Sequence, residues 1–87
     1  MGKTLYVANL DESLSERTLT EMFSVFGAVN STRIMIDGQP GPPKRFAFVE
    51  MENAWEAKAA IGSLNGKEVQ GRILKVSEEP PIAGGRN

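Results

Sequence analysis

Two distant segments of the chain alternate aromatic and aliphatic residues with the two-residue period of a β-strand. They are residues 5–10 (LYVANL) and residues 44–51 (KRFAFVEM). Because successive side chains of a strand point to opposite faces, Tyr6, Phe46 and Phe48 are predicted to lie opposite the aliphatic residues. The aliphatic residues suit a core, which leaves three rings on the outer face. A contiguous cluster of exposed rings usually marks a binding surface.

Two helices are predicted between strands, from apolar residues at spacings of three and four. Ser15 is a candidate N-cap of the first helix and Gly27 its predicted end. Its core-facing stripe comprises Leu19, Met22, Phe23 and Phe26. The second helix starts near Asn53, which suits an N-cap. Its stripe comprises Ala57, Ala60, Ile61 and Leu64.

Two further strands complete the pattern. The second, over residues 29–36, places Ser31, Arg33 and Met35 on one face. The fourth is predicted over residues 72–76. Residues 37–43 form a turn-rich connector with three prolines and two glycines, and residues 80–87 read as a flexible tail after a domain over residues 1–79.

The predicted order is β-α-β-β-α-β, which defines the split βαβ pattern of an α+β, ferredoxin-like sandwich. Right-handed crossovers place both helices on one face of a four-stranded antiparallel sheet. Spacing alone does not fix the strand order, but this topology together with the family resemblance given below implies that the first and third strands lie side by side in its centre. That arrangement would gather Tyr6, Phe46 and Phe48 into one cluster.

The composition excludes several classes of site. The 87-residue chain has no Cys and no His, so it offers no disulfide, no Cys- or His-based zinc site and no His general base. No metal or cofactor is expected. The absence of a long apolar stretch or signal-peptide core predicts an intracellular protein, cytoplasmic or, in a eukaryote, nuclear, with no membrane partner. We also expect a monomer without a small-molecule substrate.

Charge is distributed unevenly, although its sum is only −1 with a pI near 5.4. Acidic residues concentrate on the helices and the loops before them: Asp11, Glu12, Glu16, Glu21, Glu52 and Glu56. Basic residues lie in or beside strands: Lys3, Arg33, Lys44, Arg45, Arg72 and Lys75. This separation favours a mildly positive sheet, and the alternative is an ordinary set of solvated charges.

The two alternating segments resemble the signatures of the RNA recognition motif family. Residues 44–51 resemble the longer signature, with Arg45 in place of its Gly and Met51 in place of its last aromatic. Residues 5–10 match the shorter signature throughout. A third similarity is the run 64–76, with Asn65-Gly66 followed by Gly71-Arg72. The likeness covers residues 3–78.

The resemblance implies a single-stranded RNA partner. By family analogy, Tyr6 stacks one base, Phe48 stacks the next and Phe46 packs against the intervening sugars. Lys44 would contact phosphate, and Arg33 and Lys75 would contact phosphate or base edges. Met35 and Ile73 would extend the apolar area of the outer face.

Several residues have two interpretations. Arg45 alternates in step with Ala47 and Val49, so its side chain points inward. We expect its guanidinium to reach water at the sheet end. There it would either contact phosphate or be a tolerated replacement for the Gly of the family signature. Asn9 is expected to be structural. Trp55 is expected to pack half-buried on its helix, and the alternative is a partner site. Glu50 would repel phosphate or accept a hydrogen bond from a cytosine or guanine amino group, and repulsion is favoured.

Other functions fit less well. Small ferredoxin-like hydrolases of acyl phosphates need a phosphate cradle after the first strand, but that loop begins Asp11-Glu12, and Glu78 and Glu79 would project to opposite faces of an extended chain. The chain is therefore not expected to be an enzyme. Two alternatives stay open: a protein-interaction module that uses a helix face, and single-stranded DNA binding.

Overall fold

Four strands pair into one antiparallel sheet with both helices against it. The computed structural model describes residues 3–38 and 44–78. The elements in chain order are β1 (Thr4–Ala8), α1 (Glu16–Ser24), β2 (Val29–Asp37), β3 (Lys44–Met51), α2 (Ala54–Leu64), β4 (Glu68–Val69), β5 (Arg72–Ile73) and β6 (Lys75–Glu78). The sheet order is β2-β3-β1-β6, and β4 and β5 form a separate two-stranded ribbon. The predicted ferredoxin-like fold is therefore confirmed. Most of the predicted connector and the whole predicted tail lie outside the described residues.

Side-chain caps fix where both helices begin. The Ser15 hydroxyl oxygen accepts a hydrogen bond from the Thr18 amide at 3.1 Å. The Asn53 side-chain oxygen accepts one from the Trp55 amide at 2.8 Å. Each cap pairs an amide that the first helical turn would leave without a partner. Both predicted N-caps are confirmed.

The core lies between the helices and one face of the sheet. The central strands contribute Leu5, Val7, Ala47, Val49 and Met51, all fully buried. The helices cover them with Leu19, Phe23, Ala57, Ala60 and Leu64. The apolar alternation of the strands and the stripes of the helices thus meet as predicted, and Met51 is a core residue.

The first helix ends earlier than predicted. It stops at Ser24, and the Phe26 amide then donates to the Phe23 carbonyl oxygen at 3.0 Å in a tighter turn. Gly27 lies in the following loop and does not have the positive φ of a helix-terminating glycine. Instead it makes room for α2, because a Cβ built on Gly27 would lie 2.8 Å from the Cβ of Glu56.

The predicted fourth strand is divided into two parts. Arg72 and Ile73 pair with Glu68 and Val69 in the short ribbon, and only residues 75–78 join the main sheet beside β1. Gln70 and Gly71 connect the ribbon with positive φ angles of 54° and 80°. Left-handed backbone at both positions forms a tight hairpin turn. The prediction of one continuous strand over residues 72–76 did not include this turn. Ile73 consequently belongs to the ribbon.

A bulge at Asn30 changes which face the rest of β2 presents. Val29 pairs with Met51, but Ser31 pairs with Glu50, so the register shifts between them. A bulge of this kind adds one residue to one strand and reverses the alternation beyond it. Val29 can therefore pack against the core while Ser31 and the residues at 33 and 35 face outward.

Arg45 holds the loop between β1 and α1. Its guanidinium donates to the carbonyl oxygens of Glu12 and Leu14, the latter at 2.8 Å. Its Nε is buried and has no partner among the described residues. Arg45 as a whole is half-buried, and loop carbonyls above the sheet end accept hydrogen bonds from two of its nitrogens. Arg45 faces the helix side of the sheet, away from the rings.

No helix within the described residues is long and apolar enough to cross a membrane. The same residues contain no cluster of three or more acidic side chains arranged to hold a metal ion.

Substituting Gly27 with Ala should lower the free energy of unfolding by about 1–3 kcal/mol, because the new methyl group overlaps the Glu56 side chain. Gly62→Ala is the matched control. Gly62 lies inside α2 with open space around a Cβ, so this change should raise stability by about 0.5–1 kcal/mol. Urea denaturation measures both, and equal effects of the two changes would contradict the close approach.

Substituting Arg45 with Met should lower the free energy of unfolding by about 1–3 kcal/mol, because two loop carbonyls lose a charged donor. Arg33→Met is the control, since Arg33 is exposed and should change stability by less than about 0.5 kcal/mol. The same denaturation experiment compares them. A tolerated Arg45→Met would mean that the loop is held without the guanidinium.

Candidate nucleic-acid interface

The pairing of the two central strands brings the three predicted rings together. Tyr6 on β1 is the register partner of Phe48 on β3, and Ala8 is the partner of Phe46. Tyr6 therefore lies directly opposite one ring and diagonal to the other. Side chains at such positions are close enough for aromatic contact.

Tyr6, Phe46 and Phe48 form a contiguous surface, called here the ring cluster. Their centroids lie 5.7, 5.8 and 5.9 Å apart, so each ring contacts the other two. The rings are tilted by 41° and 52° around Tyr6, and the two Phe rings stand edge to face at 88°. All three are half-buried, which means that they support one another but keep part of each ring open to solvent.

Other predicted site residues surround the ring cluster on the same face. Arg33 of β2 is the register partner of Phe48, and Met35 is the partner of Phe46. Lys75 of β6 is opposite Ala8 of β1, and Lys44 begins β3. Arg33, Lys44 and Lys75 are exposed, and Met35 is half-buried. The structure thus brings seven of the eight predicted residues to one face, and Arg45 is the exception.

An open depression of about 300 Å³ adjoins the ring cluster at Phe48. It is lined by Thr4, Ser31, Arg33, Met35, Phe48 and Glu50. Sequence reasoning missed Thr4 and Ser31 as site residues. Both flank Glu50 in the sheet as its register partners, so the alternation pattern identifies them once the strand order is known.

Asn9 closes one end of β1 against the ribbon. It adopts a positive φ of 67°, a conformation that Asn tolerates better than most residues. Its side-chain amide donates to the Ile73 carbonyl oxygen at 2.8 Å, and its side-chain oxygen accepts from Arg72 at 2.9 and 3.2 Å. These bonds give Asn9 and Arg72 a structural role.

Trp55 lies on the helix side and does not belong to this face. Its side chain is 79% exposed, so the expected half-burial on the surface of α2 was wrong. The reason is its place on the side of α2 opposite to the buried residues Ala57 and Ala60. Trp55 is therefore an exposed ring remote from the ring cluster.

Charges differ between the two sides of the sheet. Among the residues whose side chains the structure describes, the ring face carries the cations Arg33, Lys44 and Lys75 and the carboxylate of Glu50. In the loop after β1, the Ser13 hydroxyl and amide donate to Asp11 and lower the pKa of that carboxyl. The carboxylate in this loop repels phosphate. The ring face is the side that suits a polyanion.

Comparisons with known proteins agree with this geometry. The family model described as RNA recognition motif matches residues 5–75. The Nostoc protein RbpE, which carries the name of an RNA-binding protein, is 40% identical over 78 residues that cover 90% of this chain and 79% of the relative.

Solved structures share the fold. The RNA-binding protein PG1 matches with a TM-score of 0.79 at 40% identity, over 88% of this chain and 93% of that one. The Sxl-lethal protein in complex with RNA matches with a TM-score of 0.82 at 33% identity, over 93% of this chain and 48% of the other. A family model that spans most of the sequence, together with relatives at this level of identity, shows that the chain belongs to the RNA recognition motif family.

Proposed function

We propose that this chain binds single-stranded RNA by stacking bases on the ring cluster. The contact among Tyr6, Phe46 and Phe48 on the open face of the sheet is the observation that carries the proposal. A base ring and an aromatic side chain both present flat apolar faces, and each such stack contributes about 1–3 kcal/mol by alanine substitution. In this proposal Tyr6 and Phe48 each stack one base, while Phe46 packs against the sugars between them.

The tilt of the rings favours a single strand over a duplex. The planes of Tyr6 and Phe48 differ by 52°. Two bases lying flat on these rings must be turned apart by a similar angle, so they cannot remain stacked on each other. Bases of a single strand can separate in this way, whereas the bases of an A-form duplex stay stacked within it.

The cations around the ring cluster supply contacts to the backbone. Lys44 is proposed to meet phosphate, with Arg33 and Lys75 on the flanking strands contacting phosphate or base edges. Two or three such contacts predict a shallow salt dependence, with a slope of log affinity against log salt of about −1.4 to −2. The low net charge of −1 agrees with modest electrostatic attraction.

The chain is proposed to act as a binding module. We infer an intracellular, monomeric and non-catalytic role for a domain over residues 1–79, with RNA as the partner and no membrane or small-molecule substrate. The RNA-binding names of the relatives support the RNA partner. Arg45 is left out of the proposed interface because its guanidinium already donates to loop carbonyls.

Replacing Tyr6 or Phe48 with Ala should weaken binding to single-stranded RNA at least about tenfold, because each change removes one stacking surface. Fluorescence anisotropy with a labelled RNA pool measures affinity, and circular dichroism checks the fold. Trp55→Ala is the matched control, since it removes an exposed ring of the helix side. Wild-type affinity in both ring variants would rule out the stacking surface.

Replacing Lys44 with Ala should weaken binding equally for all sequences and make the salt slope shallower by about 0.7, the value for one phosphate contact on a single strand. Lys58→Ala, which removes an exposed cation on α2, is the control and should leave the slope unchanged. Binding measured across a salt series gives both slopes. An unchanged slope for Lys44→Ala would show that Lys44 does not meet phosphate.

A further inference from the structure

The depression beside Phe48 carries a donor and an acceptor on neighbouring strands. Arg33 lies across the strand pair from Phe48, and Glu50 is the next outward residue along β3. We propose that this depression selects guanine, with the Arg33 guanidinium and the Glu50 carboxylate reading its two polar edges. The inference rests on the proposed function, because it assigns a preferred base to the depression next to the ring cluster.

Both charged groups are available for a ligand. Neither Arg33 nor Glu50 makes an ion pair or a side-chain hydrogen bond with another described residue. Their strand positions are diagonal, because Arg33 is the partner of Phe48 and Ser31 is the partner of Glu50. A base that overlaps Phe48 therefore has the guanidinium on one side and the carboxylate farther along the strand.

Guanine is the base whose edges match this pair. Its O6 and N7 are adjacent acceptors, which suit the two parallel N–H donors of an arginine. Its N1–H and 2-amino group are adjacent donors, which suit the two oxygens of a carboxylate. Adenine and cytosine each offer a single amino donor group and uracil a single imino donor, so none of them can occupy both carboxylate oxygens from adjacent positions.

The remaining lining residues suit a base as well. Phe48 and Met35 provide apolar surface against which the flat face of a purine can lie. Thr4 and Ser31 border Glu50 on both sides and offer hydroxyls to the sugar or to the base edge. The volume of about 300 Å³ reaches the lower end of the range for small-ligand sites.

Glu50 also explains how other bases are rejected. A carboxylate on a face that binds a polyanion repels phosphate unless a donor compensates it. Guanine supplies two donors, whereas an RNA without guanine leaves Glu50 facing acceptors and phosphates. Selection then comes from a penalty on the wrong bases as much as from a bond to the right one.

The test compares heptamers that differ only at the central base of a uridine background, U3-N-U3. Wild-type protein should bind the guanine heptamer about tenfold more tightly than the adenine, cytosine and uracil heptamers, the scale of one good bidentate contact. Glu50→Gln should reduce this preference to about threefold or less. It should also tighten binding to the uracil heptamer, because the repulsion is removed.

Base analogues assign each edge to its side chain. Inosine lacks the 2-amino group, so it should bind the wild type less tightly than guanine but bind Glu50→Gln equally well. 7-Deazaguanine lacks N7, so it should weaken wild-type binding but have little effect on Arg33→Lys, which keeps the charge and loses the fork of donors. Each pair of measurements forms a double-mutant cycle between protein and RNA.

Equal affinity for all four heptamers, or a preference for another base, would overturn the guanine assignment. So would a Glu50→Gln variant that tightens every heptamer by one common factor, since the carboxylate would then only repel phosphate. Tyr6→Ala in the same assay separates the two proposals. If it still weakens binding, the stacking surface stands without the guanine site; if it does not, both proposals fail.

Discussion

Tyr6 and Phe48 are register partners on one face of the central strand pair, and Leu5 and Val49 are register partners on the other. One antiparallel register between β1 and β3 therefore produces both the buried aliphatic core and the ring cluster. A slip of one residue would exchange the two faces, burying rings and exposing aliphatic residues. The helices protect this register, because they can cover only the aliphatic face. Fold stability and the proposed binding surface thus depend on the same pairing.

The face that carries the ring cluster is also held in place by contacts behind and beside it. Arg45 ties the sheet end to the loop before α1, and Asn9 ties the end of β1 to the ribbon. The edge strand β2 is fixed by α1, where the Glu16 carboxylate accepts a hydrogen bond from the Ile34 amide at 3.0 Å. A surface that is already ordered loses less entropy when a ligand binds. The rings are thus already held in place before any ligand binds.

Much of this arrangement could be predicted from the sequence. Alternation in two segments identified the rings, and helical spacing with Ser15 and Asn53 as caps located the helices. The parts that were missed depend on contacts distant in sequence. Arg45 finds its partners in a loop more than thirty residues away, and the close approach of Gly27 to Glu56 exists only once both helices are packed. The ribbon turn was missed because Gln70 is not a residue typical of a left-handed position.

The bulge at Asn30 separates two tasks that would otherwise conflict. Before the bulge, Val29 packs against the core. After it, Ser31, Arg33 and Met35 lie on the outer face of the sheet. If the bulge closed so that Asn30 paired with Glu50, Thr32 and its alternate neighbours would turn outward without moving the central strands. A shift of one residue in the register of the edge strand would therefore exchange its whole outward set. Such a shift would change the residues beside the ring cluster and leave the ring cluster itself unchanged.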